Sequence, residues 1–108
     1  MRGKNSRYGI YQAIGDAVRE ARGRRRLTQD ELGWRARLHR NYVGAVERGE
    51  INPTLRIIIR LARGLTMEPS ELLKLAEQHH GGWKDIDADD AAPRRSKRRT
   101  APRKRQRS

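Results

Sequence analysis

Nowhere in this chain do apolar residues alternate with polar ones over the length of a strand. They recur three and four apart instead, as in Ile14, Val18 and Ala21 or Ile58, Leu61 and Ala62. That period belongs to helices and leaves no segment for a sheet. The runs are also repeatedly cut, at Thr28, at Gly49, at Asn52-Pro53-Thr54 and at Pro69. The chain can therefore fold only into several short helices, each too short to hold alone and dependent on packing against the others.

The interruptions predict where each helix lies. The first begins at about Tyr11, with Asp16 and Glu20 in its early turns and Arg22 to Arg26 toward its end, an order that complements the helix dipole. Thr28 and Glu31 have the spacing of a capping box and open a second helix of about residues 29–36. This helix offers Leu32 and Ala36 to the core. Gly33 in its middle costs about 1 kcal/mol relative to Ala, which makes sense if another helix crosses closely there. A third helix, roughly 40–48, starts at His39 or Arg40, turns Leu38, Val43 and Val46 inward and stops at Gly49.

Thr54 caps a fourth helix, about 55–64, with Leu55, Ile58, Leu61 and Ala62 as its inner stripe. Ile57 and Ile59 widen its apolar surface beyond what one core needs. Pro69 suits the first turn of a fifth helix that turns Leu72, Leu73, Leu75 and Ala76 inward. The expectation is an all-α domain of five helices over residues 11–82, after a flexible lead at 1–10. Residues 83–108, acidic and then basic, have almost no large apolar group and are expected to be disordered.

With 34% hydrophobic residues and no Phe, the core is small and aliphatic, so pairing with a second copy is an attractive further source of buried area. The absence of Cys excludes disulfides and thiolate metal sites. His39 stands apart from His79 and His80, and neighbours in a helix point about 100° apart, so no metal site is expected. No Ser-His-Asp set or carboxylate pair is visible either, which leaves no catalytic residues and no cofactor. No apolar run approaches the roughly 18 residues of a membrane span. The expected setting is the cytoplasm, in association with the nucleoid.

Charge names the partner. The net charge is +13, distributed as +7 over residues 1–82, −3 over 83–92 and +9 over 93–108. A balance of this kind points to nucleic acid, since a membrane would want a basic amphipathic helix with bulky anchors. Gln29 to Gly49 has the form of a capped short helix, a tight turn and a second short helix. Such a pair can set one helix in a major groove roughly 12 Å wide while the other braces it.

The ordered set "IGDAVREAR", "LTQDEL", "LHRNYVGAVERGEINP", "LARGL" and "SELL" resembles the phage-repressor and Cro-like helix-turn-helix proteins, the XRE family. The likeness spans about Ile14 to Leu75 and is greatest to the controller-type regulators. It implies a lambda-repressor-like fold and binding of double-stranded DNA as a homodimer. By the family pattern, Arg40 and Asn41 face base edges, with Gly44 and Ala45 on the next groove-facing turn. Gln29 touches phosphate and buttresses the third helix, Asn52 approaches the backbone, and Arg22 pairs with Glu47.

Chemistry agrees with that assignment. Arg donates bidentately to guanine and Asn pairs bidentately with adenine, each giving roughly 1–3 kcal/mol of discrimination. Ala45 can touch only a thymine methyl. Thr28, Tyr42, Arg37 and Arg48 join Gln29 and Asn52 as candidates for phosphate contact or bracing. Two positions depart from the family, which favours glycine where this chain has Arg26 and Arg37. If those backbones are left-handed, each Arg carries a steric cost of roughly 1–2 kcal/mol.

Trp34 is expected to be a partly buried packing residue. Trp83 either folds back on the domain or meets a second copy, and Ile57 and Ile59 place the dimer contact on helices four and five. The function expected is that of a sequence-specific transcriptional regulator, with no small-molecule ligand evident. The alternatives are an antitoxin or accessory protein with the same domain, and a nucleoid-like architectural protein that coats DNA through its charge.

Overall fold

In the computed structural model, residues 9–79 are described together with Gly81 and Trp83. The lead before Gly9, His80, Gly82 and the charged tail from Lys84 onward lie outside the described residues. Among the described residues five helices follow in order: α1 (Gly9–Arg24), α2 (Gln29–Ala36), α3 (Arg40–Glu47), α4 (Leu55–Gly64) and α5 (Pro69–Glu77). Among the described residues there is no strand.

Caps set most of these boundaries. Thr28 and Glu31 exchange hydrogen bonds at the start of α2, and the Thr54 hydroxyl accepts from the Ile57 N–H at the start of α4. Helix α5 opens with Pro69 at its first position, and Glu68 and Glu71 form a capping box there that the sequence reading missed. Helix α1 begins at Gly9, before the apolar stripe does, so Asp16 is not in its first turn. Asp16 instead accepts from Gln12 Nε2 at 2.9 Å and pairs with Arg19 at 3.3 Å.

The core is aliphatic. Val18, Leu32, Val43, Val46, Leu61, Leu65 and Leu72 are fully buried, drawn from every helix and from the end of α4. Burying each of the larger side chains contributes about 1.5–3 kcal/mol. Leu55 is not among them. Expected in the core stripe of α4, it is 68% exposed and forms the rim of an apolar hollow with Pro53 and Trp83. Trp83 folds back on the domain and packs against the core.

Two glycines report how closely the chain approaches itself. A Cβ at Gly15 would stand 2.4 Å from the Val46 carbonyl oxygen and 2.6 Å from that of Glu47, so α1 crosses the end of α3 almost in backbone contact. At Gly33 the neighbour is the Leu38 carbonyl oxygen, 2.5 Å from where a Cβ would be. The close approach at Gly33 is therefore to the turn into α3 and, at 3.3 Å, to the backbone nitrogen of Arg40, where α3 begins. Gly15 has the crossing.

Among the described residues, three other than glycine are left-handed: Arg26 at φ 57°, Arg37 at φ 61° and Thr66 at φ 58°. The two arginines thus hold the backbone conformation that glycine would favour. Thr66 is the stronger outlier, because a β-branched side chain crowds its own backbone in this region. It is held by its N–H donating to the Arg63 carbonyl at 3.0 Å and by its own carbonyl accepting from Arg25 Nη2 at 3.3 Å. Thr66→Gly should remove roughly 1–2 kcal/mol of steric cost and return about 0.5–1 kcal/mol as unfolded-state entropy. The expected result is a thermal midpoint a few degrees higher by circular dichroism. A lower midpoint would show that the threonine side chain is itself needed there.

Candidate nucleic-acid interface

Helix α3 is seated by Val43 and Val46 and fixed at both ends. At its start His39 Nδ1 accepts the Asn41 N–H at 3.0 Å. At its finish Gly49 takes φ +72°, and the Glu50 N–H returns to the Ala45 carbonyl at 3.1 Å. With its inner face occupied, α3 leaves Arg40 and Asn41 exposed side by side on its first turn, and Ala45 half-exposed one turn later. Arg and Asn can each pair bidentately with a base edge, and a small side chain beyond them admits close approach.

The far end of α3 is held by a buried carboxylate. Glu47 is 1% exposed, and Arg22 of α1 grips it with two bonds, Nε to Oε2 at 2.7 Å and Nη2 to Oε1 at 3.0 Å. Gln29, the first residue of α2, donates Nε2 to Oε1 at 3.0 Å. Arg19 donates Nη2 to the Glu47 backbone carbonyl at 2.9 Å, and Arg22 Nη1 reaches the Leu27 carbonyl at 2.8 Å. One carboxylate therefore ties α1, α2 and α3 together. Its hydrogen bond is the main cause that raises the Arg22 guanidinium further above its ordinary value. Arg19, which the sequence reading missed, lies three residues before Arg22, a spacing that puts both on one helix face.

The remaining candidates are arranged around this clamp. Gly44 is buried: a Cβ there would stand 3.0 Å from Arg48 Nη1 and 3.4 Å from Gln29 Oε1. Its place is therefore beneath those two side chains, and its smallness lets them lie against α3. Arg48 pairs with Glu50 at 2.8 Å. That hydrogen bond holds the Glu50 carboxyl below its usual range and raises the Arg48 guanidinium. Thr28 is exposed, its hydroxyl accepting from the Glu31 N–H and keeping its own proton to donate. Asn52 is exposed in the turn before α4, whereas Tyr42 is half-buried against the core.

Trp34 departs from expectation. It is 85% exposed, because Leu32, Gly33 and Ala36 already define the inner face of α2 and residue 34 falls outside it. It lines a shallow hollow with Gly33, Arg37 and Leu38, in the turn that leads to Arg40. Among the described residues no group of His, Asp or Glu could hold a metal ion. No helix of the described residues is long and apolar enough to cross a membrane.

Comparison with known proteins gives a consistent result. A family model described as a helix-turn-helix domain matches residues 13–75. The control protein C.SmaI of Serratia marcescens is 39% identical over 64 residues, which span 59% of this chain and 76% of that protein. The control protein C.BamHI of Bacillus amyloliquefaciens is 33% identical over 61 residues, 56% of this chain and 75% of that protein. Among solved structures, the restriction-modification controller protein C.AhdI from Aeromonas hydrophila superposes with a TM-score of 0.59 at 42% identity. That superposition covers 60% of this chain and 98% of that one.

Proposed function

Since this chain belongs to the helix-turn-helix domain family, with control proteins among its relatives, we propose that it works as a controller-type regulator, placing α3 of each protomer of a dimer in successive major grooves. It is a sequence-specific DNA-binding transcriptional regulator. The observation that carries the assignment of α3 is the pairing of exposed Arg40 and Asn41 on its first turn with the buried Glu47 clamp at its other end. Gln29 and Arg48, which lie against α3 at Gly44, together with Thr28, Arg37 and Asn52, supply bracing or phosphate contacts. Exposed Leu55 and half-buried Leu73, which share a hollow with Tyr11 and Trp83, favour the side formed by α1, α4 and α5 for the dimer contact. The protein acts in the cytoplasm, on the nucleoid.

Selection of bound sequences from a random DNA pool tests this reading. An inverted repeat is expected, with half-sites about one helical turn, roughly 34 Å, apart. Equal affinity for selected and random DNA would overturn it in favour of an architectural protein. Arg40→Ala and Asn41→Ala should each lose about 1–3 kcal/mol of discrimination at particular bases of the half-site, read by competition with substituted duplexes. A uniform loss on every sequence would instead make the two residues phosphate contacts.

A further inference from the structure

Helix α4 has an outer face that carries none of the residues assigned to DNA above. Arg56, Arg60 and Arg63 follow one another at helical spacing along it, and the helix has no acidic residue. Among the described residues no carboxylate pairs with any of the three. With Leu55 and Ile59 they line an open hollow of about 400 Å³. The inner side of α4 packs chiefly on α2 and α5. An apolar floor with an uncompensated cationic rim fits an acidic segment that carries an apolar anchor.

The chain contains such a segment, and it begins beside this hollow. Trp83 lines the neighbouring hollow together with Leu55, and Leu55 borders both. The residues that follow are Lys84, Asp85, Ile86, Asp87, Ala88, Asp89 and Asp90, four carboxylates around one large apolar side chain. At about 3.3 Å per extended residue, the chain from Trp83 reaches roughly 23 Å by Asp90. The run from Leu55 to Arg63 along the helix is only about 12 Å at 1.5 Å per residue.

We propose that residues 85–90 dock on α4 of their own chain, the aspartates against Arg56, Arg60 and Arg63 and Ile86 over Ile59, beside the Leu55 side proposed for the dimer contact. Exposed ion pairs are individually weak and screened by salt. The short tether compensates with an effective concentration in the millimolar range. Docking occupies the carboxylates on α4 and leaves the nine cations of residues 93–108 unpaired and available to phosphate. The placement rests on α4 and the segment alone and is independent of which bases α3 reads.

Because the chain has no Cys, Ala88→Cys carrying a nitroxide label places one paramagnetic centre in the segment. In the full chain at low salt, the backbone amide signals of residues 55–63 should lose most of their intensity and recover it at high salt. Arg56→Gln, Arg60→Gln and Arg63→Gln together should abolish the effect. Broadening centred on Arg40 and Asn41, or none on α4, overturns the proposal, as does broadening that survives the triple substitution. Broadening of α4 only in isotope-labelled chains mixed with separately spin-labelled ones assigns the surface to a second copy and overturns docking within the chain. An α4 surface that responds only to added duplex DNA assigns the arginines to phosphate and overturns it likewise.

Discussion

Arg22→Ala should be among the most destabilising single changes in this domain, at about 3–5 kcal/mol, because it leaves a buried carboxylate without its partner. Glu47 is 1% exposed and receives both Arg22 bonds. The lower end of the range is expected, since Arg19 Nε lies 3.9 Å from Oε1 and Gln29 still donates to it. Against a typical total of about 5–15 kcal/mol for a folded domain, such a loss brings the protein close to unfolding. Each kcal/mol moves the thermal midpoint by about 4–8 °C at this size. Urea unfolding followed by helical circular dichroism reads the loss directly. Arg22→Met with Glu47→Leu should recover much of it, since an apolar pair of similar volume removes the desolvation cost of both charges. An Arg22→Ala midpoint equal to that of the unaltered protein would mean the clamp contributes nothing.

The second large effect comes from one methyl group. In a helix interior Ala is normally better than Gly by about 0.5–1 kcal/mol. At Gly15 the added Cβ meets the Val46 and Glu47 backbone oxygens at 2.4 and 2.6 Å. Backbone cannot swing aside as a side-chain tip can, so α1 and the end of α3 must separate. A net loss of about 1–3 kcal/mol is expected from overpacking of this kind. Gly23→Ala is the control: it lies in the last turn of α1 with nothing within 4 Å of the new Cβ. It should be neutral or slightly stabilising. Thermal midpoints of the two variants, with DNA affinity measured alongside, separate the helix-propensity effect from the crossing. Equal behaviour of the two would remove the close approach at Gly15 as a constraint.

The helices were legible because their ends are written in local chemistry. Thr28 with Glu31, Thr54, Gly49 and Pro69 each act within one turn of themselves, and apolar spacing supplies the inner face. What depends on which helix meets which was harder to see. Gly33 interrupts a helix and meets the adjoining turn and the start of α3, whereas the crossing of α1 falls on Gly15, whose neighbours Val46 and Glu47 are 31 and 32 residues away in sequence. Trp34 and Leu55 look like core residues by type, but burial depends on whether another element arrives to cover them. Thr66 gave no signal, since a β-branched residue is a poor choice for the conformation it holds. Arg26 and Arg37 stood out only against the family pattern, because nothing in arginine itself marks a left-handed turn. Arg22 and Glu47 were paired by the same pattern. The contributions of Gln29 and Arg19 to that carboxylate needed three-dimensional placement.

Helix α3 keeps its buried carboxylate separate from the side chains proposed to read bases. The buried carboxylate and the glycine crossing act on Val46 and Glu47, while Arg40, Asn41 and Ala45 take no part in the carboxylate's hydrogen bonds. On the proposed assignment, recognition can therefore be rewritten without refolding. A library randomised at residues 40, 41 and 45 should remain folded almost throughout and differ mainly in which operators it selects. The same scaffold could then carry many addresses, each changed by two or three side chains.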